Sequence, residues 1–266
     1  MTHADPLARV PQHEAAFAGA RLSLLTTPMI LMYHAVAQEA DDPNLLCVPP
    51  AIFAAQMRWL ARRGLRGVSI ETLIDAMQTG HHRRMVGITF DDGYASVLEC
   101  ALPELRRHGF GATAFIVADR IGVTNDWDDG PSWKLLDADG VRELAAAGIE
   151  IGSHSATHAR LASTGTDALS PAQVAAETAG SRAALREMTG AQVNGFAYPY
   201  GSMNETVRAA VRAAGYEYAC AVEAAPTDIG MMALPRIYIG KRDGAARMAA
   251  KRITYKARIA LKGRHA

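Results

Sequence analysis

The sequence predicts an α/β protein built on a closed or distorted barrel of about seven parallel strands. Short apolar runs alternate with segments of helical spacing, and repeated strand-then-helix units imply parallel strands covered by helices. The polar residues that look chemical follow directly on apolar runs, which is where such barrels build their sites. The 266 residues suit one domain of barrel size or two small ones.

The elements run in order. Met29 to Tyr33 reads as a buried strand. Pro49 to Arg63 reads as a helix, with Phe53, Met57 and Leu60 on one face. A short helix opens near Ser69, with Ser69 and Thr72 as candidate caps, and closes at Gly80. Met85 to Phe90 is a strand, followed by helix to His108 with a break or restart at Pro103. Thr113 to Val117 is a strand, Asp139 to Ala147 a helix, and Ile149 to Ser153 a strand. Ser170-Pro171 pairs an N-cap with proline at the first helical position, predicting a helix to Thr189. Strands follow at Val193–Tyr198, Tyr218–Val222 and Leu234–Ile239.

Two of the strand ends carry chemistry. Thr89-Phe90-Asp91-Asp92-Gly93 ends one apolar run with adjacent carboxylates, and Ser153-His154-Ser155-Ala156-Thr157-His158 follows another with two imidazoles four positions apart. Taken singly, the first reads as a turn and the second as a coincidence of spacing. Together they read as two nitrogens and one oxygen for a divalent metal with open positions. One aspartate would ligate while its neighbour stays free as a base, the division that metal-assisted hydrolysis needs.

With these motifs the chain resembles the polysaccharide deacetylase (NodB-homology, carbohydrate esterase 4) family. The first motif lies at 89–93, the second at 154–158, and Phe196-Ala197-Tyr198-Pro199-Tyr200-Gly201 matches the third. The resemblance runs from about Pro28 to Gly240 and implies a distorted (β/α)7 barrel. It divides the chain into an N-terminal extension (1–27), the deacetylase domain (28–240) and a basic tail (241–266). It implies metal ligands Asp92, His154 and His158, with Asp91 as base and the Tyr200 backbone N–H as oxyanion donor. The metal would be Zn2+, with Co2+, Ni2+ or Mn2+ as alternatives.

Two departures from the family pattern matter. Ala197 stands where most members carry an arginine that orients the base, and the region Ala233–Tyr238 lacks the usual late histidine. Tyr33-His34 resembles the subgroup that deacetylates poly-N-acetylglucosamine, in which the acid histidine comes from the first strand. The resemblance thus makes His34 the general acid and Arg236 the substitute arginine. It places Trp127, Trp133, Tyr198, Pro199 and Tyr200 beside the substrate. For either tryptophan, packing its loop onto the barrel is the competing role.

Hydrophobic residues at 49% and charged residues at 21% are ordinary for a globular enzyme. Cys47, Cys100 and Cys220 are too few and too scattered for a disulfide framework. Residues 1–12 are polar, with no apolar core of a secretory signal, so a cytoplasmic protein is expected. Residues 241–266 hold nine Lys or Arg against one acid, Asp243. That tail reads as an anionic-membrane contact at the inner face, a grip on a phosphate-bearing substrate, or a solvated end. Nucleic acid is not expected, because no recognition motif accompanies the charge. The expected partner is an acetylated saccharide or glycoconjugate, and the expected activity N-deacetylation. O-acetyl esterase activity, or saccharide binding without catalysis, are the alternatives.

Overall fold

A computed structural model of the chain describes residues 28–222 and 230–262, the last seven as backbone only. The expected N-terminal extension, 1–27, lies outside the described residues.

Strands β1 (Ile30–Tyr33), β2 (Arg66–Val68), β3 (Met85–Phe90), β4 (Thr113–Ile116), β5 (Glu150–Ser153), β6 (Gly195–Ala197), β7 (Tyr218–Ala221), β8 (Leu234–Pro235) and β9 (Ile237–Tyr238) form one sheet. Its order is β8-β7-β6-β5-β4-β3-β1-β9, with β2 flanking β3 and every pairing parallel. The strand expected over 234–239 is therefore two pieces. Leu234 and Pro235 pair with β7, then Ile237 and Tyr238 pair with β1. One short segment thus holds both edges of the sheet and nearly closes the barrel. Arg236 sits at the point where it changes partners.

The period-2 alternation of strands sorts the core. On β3, Val86, Ile88 and Phe90 face outward into the main apolar cluster, under the helices. Gly87, Thr89 and then Asp91 take the inward positions. A Cβ on Gly87 would lie 2.8 Å from an Ile70 methyl, so only glycine fits there. Phe115, Ala197, Tyr218 and Cys220 fill the interior below the aspartates. Asp91 and its neighbour Asp92 thus follow on as the top of the barrel filling.

Helices α1 (Pro50–Arg62), α2 (Ile70–Gln78), α3 (Leu102–His108), α4 (Ala138–Ala146), α5 (Pro171–Ala175), α6 (Ser181–Thr189), α7 (Glu205–Ala213) and α8 (Ala245–Lys262) surround the sheet; α2 instead plugs the N-terminal end of the barrel, with Ile70, Leu73 and Ile74 in the interior cluster. Ser69 caps α2 by accepting from the Thr72 N–H. Ser170 and Gln173 form a capping box at α5. The long helix expected over 170–189 runs as α5 and α6 joined by a π turn, Ala176–Gly180. Strand β2 and helix α7 were not expected. β2 is three residues with no alternation to read, whereas α7 carried a signal: Asn204 caps it, and Val207 and Val211 share its buried face.

The solvated end expected for the tail does not fit residues 241–255. Asp243 is buried, accepting from the Gly240 N–H at 2.8 Å and from Lys251 Nζ. Its carbonyl accepts from Gln56 Nε2, and the Gln56 side chain accepts from the Tyr33 hydroxyl. Met248 is 2% exposed, and the Tyr255 hydroxyl donates to the Pro28 and Pro235 carbonyls. The first half of α8 therefore straps the closing segment onto β1 and α1. Removing 241–266 would take away part of the barrel, not an appendage.

Candidate active site

The C-terminal ends of β1, β3, β5, β6 and the β8–β9 junction converge on one cluster. Asp92, His154 and His158 are buried, with their ligand atoms all within 4.8 Å of one another. His154 Nε2 and His158 Nε2 stand 3.3 and 3.4 Å from Asp92 Oδ1. That oxygen has no hydrogen bond. A buried acceptor left unpaired costs about 1–3 kcal/mol or more. A tetrahedron with metal bonds of about 2.0–2.1 Å has edges of about 3.3–3.4 Å. The three residues therefore fit a divalent metal in donor type and in spacing, and they form a possible metal site. His154 Nδ1 lies 2.9 Å from the Ala197 carbonyl, so it carries the proton and leaves Nε2 free to ligate.

Backbone strain concentrates here. Among the described residues, five non-glycine residues have left-handed φ, and four of them, Asp92 (72°), Ser155 (66°), His158 (68°) and Tyr200 (57°), belong to the site's loops. Each costs about 1–3 kcal/mol and persists only where its surroundings hold it. For His158 the holder is Glu177. Its carboxylate accepts from the Ala156 and Thr157 N–H groups, each at 2.9 Å, and from the Thr157 hydroxyl at 2.6 Å. Glu177 projects from the π turn, a departure from α geometry that recurs at functional sites. Nothing in the local sequence marks it, because its partners are twenty residues away.

Asp91 lies beside the cluster, 2% exposed. Arg236 Nη1 and Nη2 donate to its two oxygens at 2.6 and 2.7 Å. Arg236 also donates from Nη1 to Thr89 Oγ1 at 3.1 Å and from Nε to the Ala221 carbonyl at 3.2 Å. Burial alone would raise the Asp91 pKa; the Arg236 charge, His154 and the Arg236 hydrogen bonds outweigh it and hold the carboxyl below the usual range. For Asp92 burial is likewise outweighed, here by the two imidazoles, and its carboxyl is held well below that range. So both carboxylates are ionised, one gripped by a guanidinium fork and the other facing two imidazoles.

His34 follows β1 and is near enough to help lower both aspartates. Its Nδ1 is buried without a partner. Its ring lies 6.5 Å from that of Tyr238. Trp127 stacks on the His158 ring at 4.4 Å, and the Tyr200 ring meets His158 edge-on at 4.6 Å. The Tyr200 hydroxyl donates to Asp128 at 2.9 Å, tying the third motif to the 126–133 loop.

Two of the expected substrate contacts are buried. Tyr198 is fully buried, packed on Phe196, and its hydroxyl donates to the Met232 carbonyl. Pro199 is buried in the turn. Neither offers a surface to a sugar: Tyr198 points outward with Phe196 into the apolar layer under the helices, and Pro199 is packed in its turn. Trp133 is half-buried and packs edge-on against Tyr94 at 5.6 Å. Tyr94 itself was not anticipated. It is buried beside Asp92, and burial together with that charge pushes its hydroxyl pKa up.

A parallel barrel whose strand ends carry a buried two-histidine, one-carboxylate cluster beside a second carboxylate defines a class of hydrolase-like sites. Residues 78–219 match the profile of the polysaccharide deacetylase family. The chain belongs to that family. It is 32% identical over 214 residues to YxkH of Bacillus subtilis, which carries the family's name, covering 79% of this chain and 70% of that one. It is 25% identical over 194 residues to the poly-beta-1,6-N-acetyl-D-glucosamine N-deacetylase of Staphylococcus epidermidis, covering 70% and 66%. The structure of IcaB from Ammonifex degensii superposes with a TM-score of 0.68 at 25% identity, over 85% of this chain and 96% of that one. The fold is accordingly the NodB-homology barrel of the carbohydrate deacetylases. Both His34 and Arg236 fall outside the stretch that matches the family profile.

Proposed function

We propose that this protein removes N-acetyl groups from an N-acetylhexosamine-containing saccharide or glycoconjugate. The observation that carries the reading is the different placement of two adjacent carboxylates. Asp92 faces His154 and His158 with an orphaned oxygen, while Asp91 is held in the two-point grip of Arg236. The N-deacetylase among its relatives supports the amide over the ester substrate.

A divalent metal on Asp92, His154 and His158, with Zn2+ first and Co2+, Ni2+ or Mn2+ also suited to the donors, would polarise the acetyl carbonyl and acidify a water. Asp91 accepts the attacking water's proton. Arg236 keeps that carboxylate ionised and aimed, since a guanidinium fork fixes a carboxylate's plane. The Tyr200 N–H donates to the developing oxyanion, held in place by the left-handed turn at that residue. His34 gives a proton to the departing nitrogen, which leaves poorly without one. Trp127, stacked on His158, walls the site beside the acetyl group. Acetate release from N-acetylated and O-acetylated saccharides, with and without a chelator, tests the reading. Chelator-sensitive release from the N-acetyl substrate is expected. Faster release from O-acetyl substrates would make it an esterase, and no release from either with added metal would leave only binding.

A further inference from the structure

The barrel's other end carries a feature that the chemistry does not use. In a parallel barrel the helices return from the catalytic end to the N-terminal ends of the strands. That end of the β2–β3 sector collects the last turn of α1, the start of β2, the turn before β3 and the last turn of α3. Residues 58–66, 81–84 and 104–108 there hold eight arginines and one acid, Glu104. All eight arginines are exposed. Among the described residues only Arg107 has a carboxylate partner, Glu104.

The cations are close together. Arg66 begins β2 and pairs with Met85, next to Arg84. The Arg84 guanidinium lies against Gly64, 2.9 Å from where a Cβ would stand, beside Arg62 and Arg63. Phe110, just past α3, packs on Gly67. Helix dipoles account for Arg62, Arg106 and Arg107, which sit at helix C-termini. They do not account for Arg66, Arg83 and Arg84, which crowd like charges with no carboxylate paired to them among the described residues. The loops of the catalytic end are mixed: Glu39, Asp41, Asp126 and Asp129 are exposed there, and so are Lys134, Arg160 and Arg242, while Arg120 pairs with Asp126. The β2–β3 end differs in carrying cations almost alone.

We infer that the β2–β3 end docks on an anionic lipid bilayer, with the active-site mouth turned away into solution. Charge complementarity favours a bilayer because an extended anionic surface can engage the arginines of all three segments at once. Helix α8, which packs on α1 and runs toward the same end, adds cations and a 69% exposed Ile253. An isoleucine among cations suits the headgroup boundary. A mouth facing away selects an extended saccharide reaching into solution over a sugar lying at the headgroups. That last point rests on the proposed deacetylase activity; the docking does not.

The test is sedimentation of the full chain with phosphatidylcholine vesicles containing or lacking phosphatidylglycerol, at low and high salt. Binding should need phosphatidylglycerol and fade as salt rises. Arg62→Glu/Arg66→Glu/Arg84→Glu should lower partitioning about a hundredfold or more. The same three sites changed to Gln should show a smaller loss in the same direction. Lys256→Gln/Arg258→Gln/Lys262→Gln should retain most of the binding. Turnover on a small soluble substrate should be unchanged by the arginine variants and by saturating vesicles. The inference fails if the wild type ignores anionic vesicles at low salt, if the α8 variant loses binding while the barrel variant keeps it, or if the protein prefers RNA to vesicles. Vesicles that block turnover would overturn the orientation.

Discussion

Replacing Arg236 by alanine gives the sharpest outcome. Arg236 and Asp91 are both buried and joined at two points. Deleting one partner of such a pair leaves an uncompensated charge and costs about 3–5 kcal/mol. Asp91 relieves the cost by taking up a proton, so its pKa, now below the usual range, should move above it. The sign of the pH dependence then reverses. In the wild type this carboxylate's stabilisation is complete above the unfolded pKa and fades as pH falls through the depressed folded value. In Arg236→Ala, stability should instead fall as pH rises from the unfolded pKa through the raised folded value. A protonated Asp91 cannot accept a proton, so turnover near neutral pH should drop by about 10²–10⁴-fold and partly recover as pH rises. Metal content should stay unchanged, since Asp92, His154 and His158 keep their positions. Arg236→Lys, which keeps the charge and loses the fork, should fall between. Denaturant melts and a kcat–pH profile decide the matter. A variant with the wild-type profile and stability within about 1 kcal/mol of wild type would refute the reasoning.

Other outcomes are specific to single groups. His34→Ala should slow an amide substrate about 10²–10⁴-fold and an activated ester far less; equal losses on both would rule out a proton-donating role. Glu177→Gln should weaken binding of Zn2+ or Co2+ by the apo-protein about tenfold, measured calorimetrically, because the loop carrying His158 loses its anchor; unchanged metal affinity would make Glu177 a packing residue. A chain stopped after Gly240 should lose at least 10 °C of melting temperature and most of its turnover, as it sheds Asp243, Met248, Lys251 and Tyr255 together; on a scale where 1 kcal/mol shifts a domain of this size by about 2–4 °C, a smaller change would mean that the strap contributes little.

What the sequence disclosed follows from the range of the interactions. Asp91, Asp92, His154 and His158 were legible because the chemistry sits in short motifs directly after apolar strand runs. The β–α alternation was legible because each unit buries one face with its own periodicity. Glu177 was not, because a helical glutamate reads the same whether it meets water or the backbone of a distant loop. Tyr198 was misjudged for a related reason: the motif gives its place along the strand end, but only the outward register it shares with Phe196 shows its side chain entering the apolar layer under the helices. The split at Arg236 was hidden too. Leu234 to Ile239 reads as one strand, and only the spatial positions of β7 and β1 make it change partners midway. The docking of α8 depends on Asp243, which looks in the sequence like a lone acid in a basic tail.

That split has a consequence for how the protein loses activity. The barrel's two edges meet through only two residue pairs on either side of Arg236, one pair involving a proline that has no N–H to give. A seam so thin is the place where local opening costs least, well below the free energy of global unfolding. Each such opening carries Arg236 away from Asp91. Inactivation should therefore precede loss of secondary structure when denaturant is raised, and amide exchange at Ile237, Tyr238 and Ile239 should outpace that of β3 and β4. Asp91, the proposed base, thereby reports on barrel closure, and the turnover rate becomes a gauge of how often the cylinder is shut.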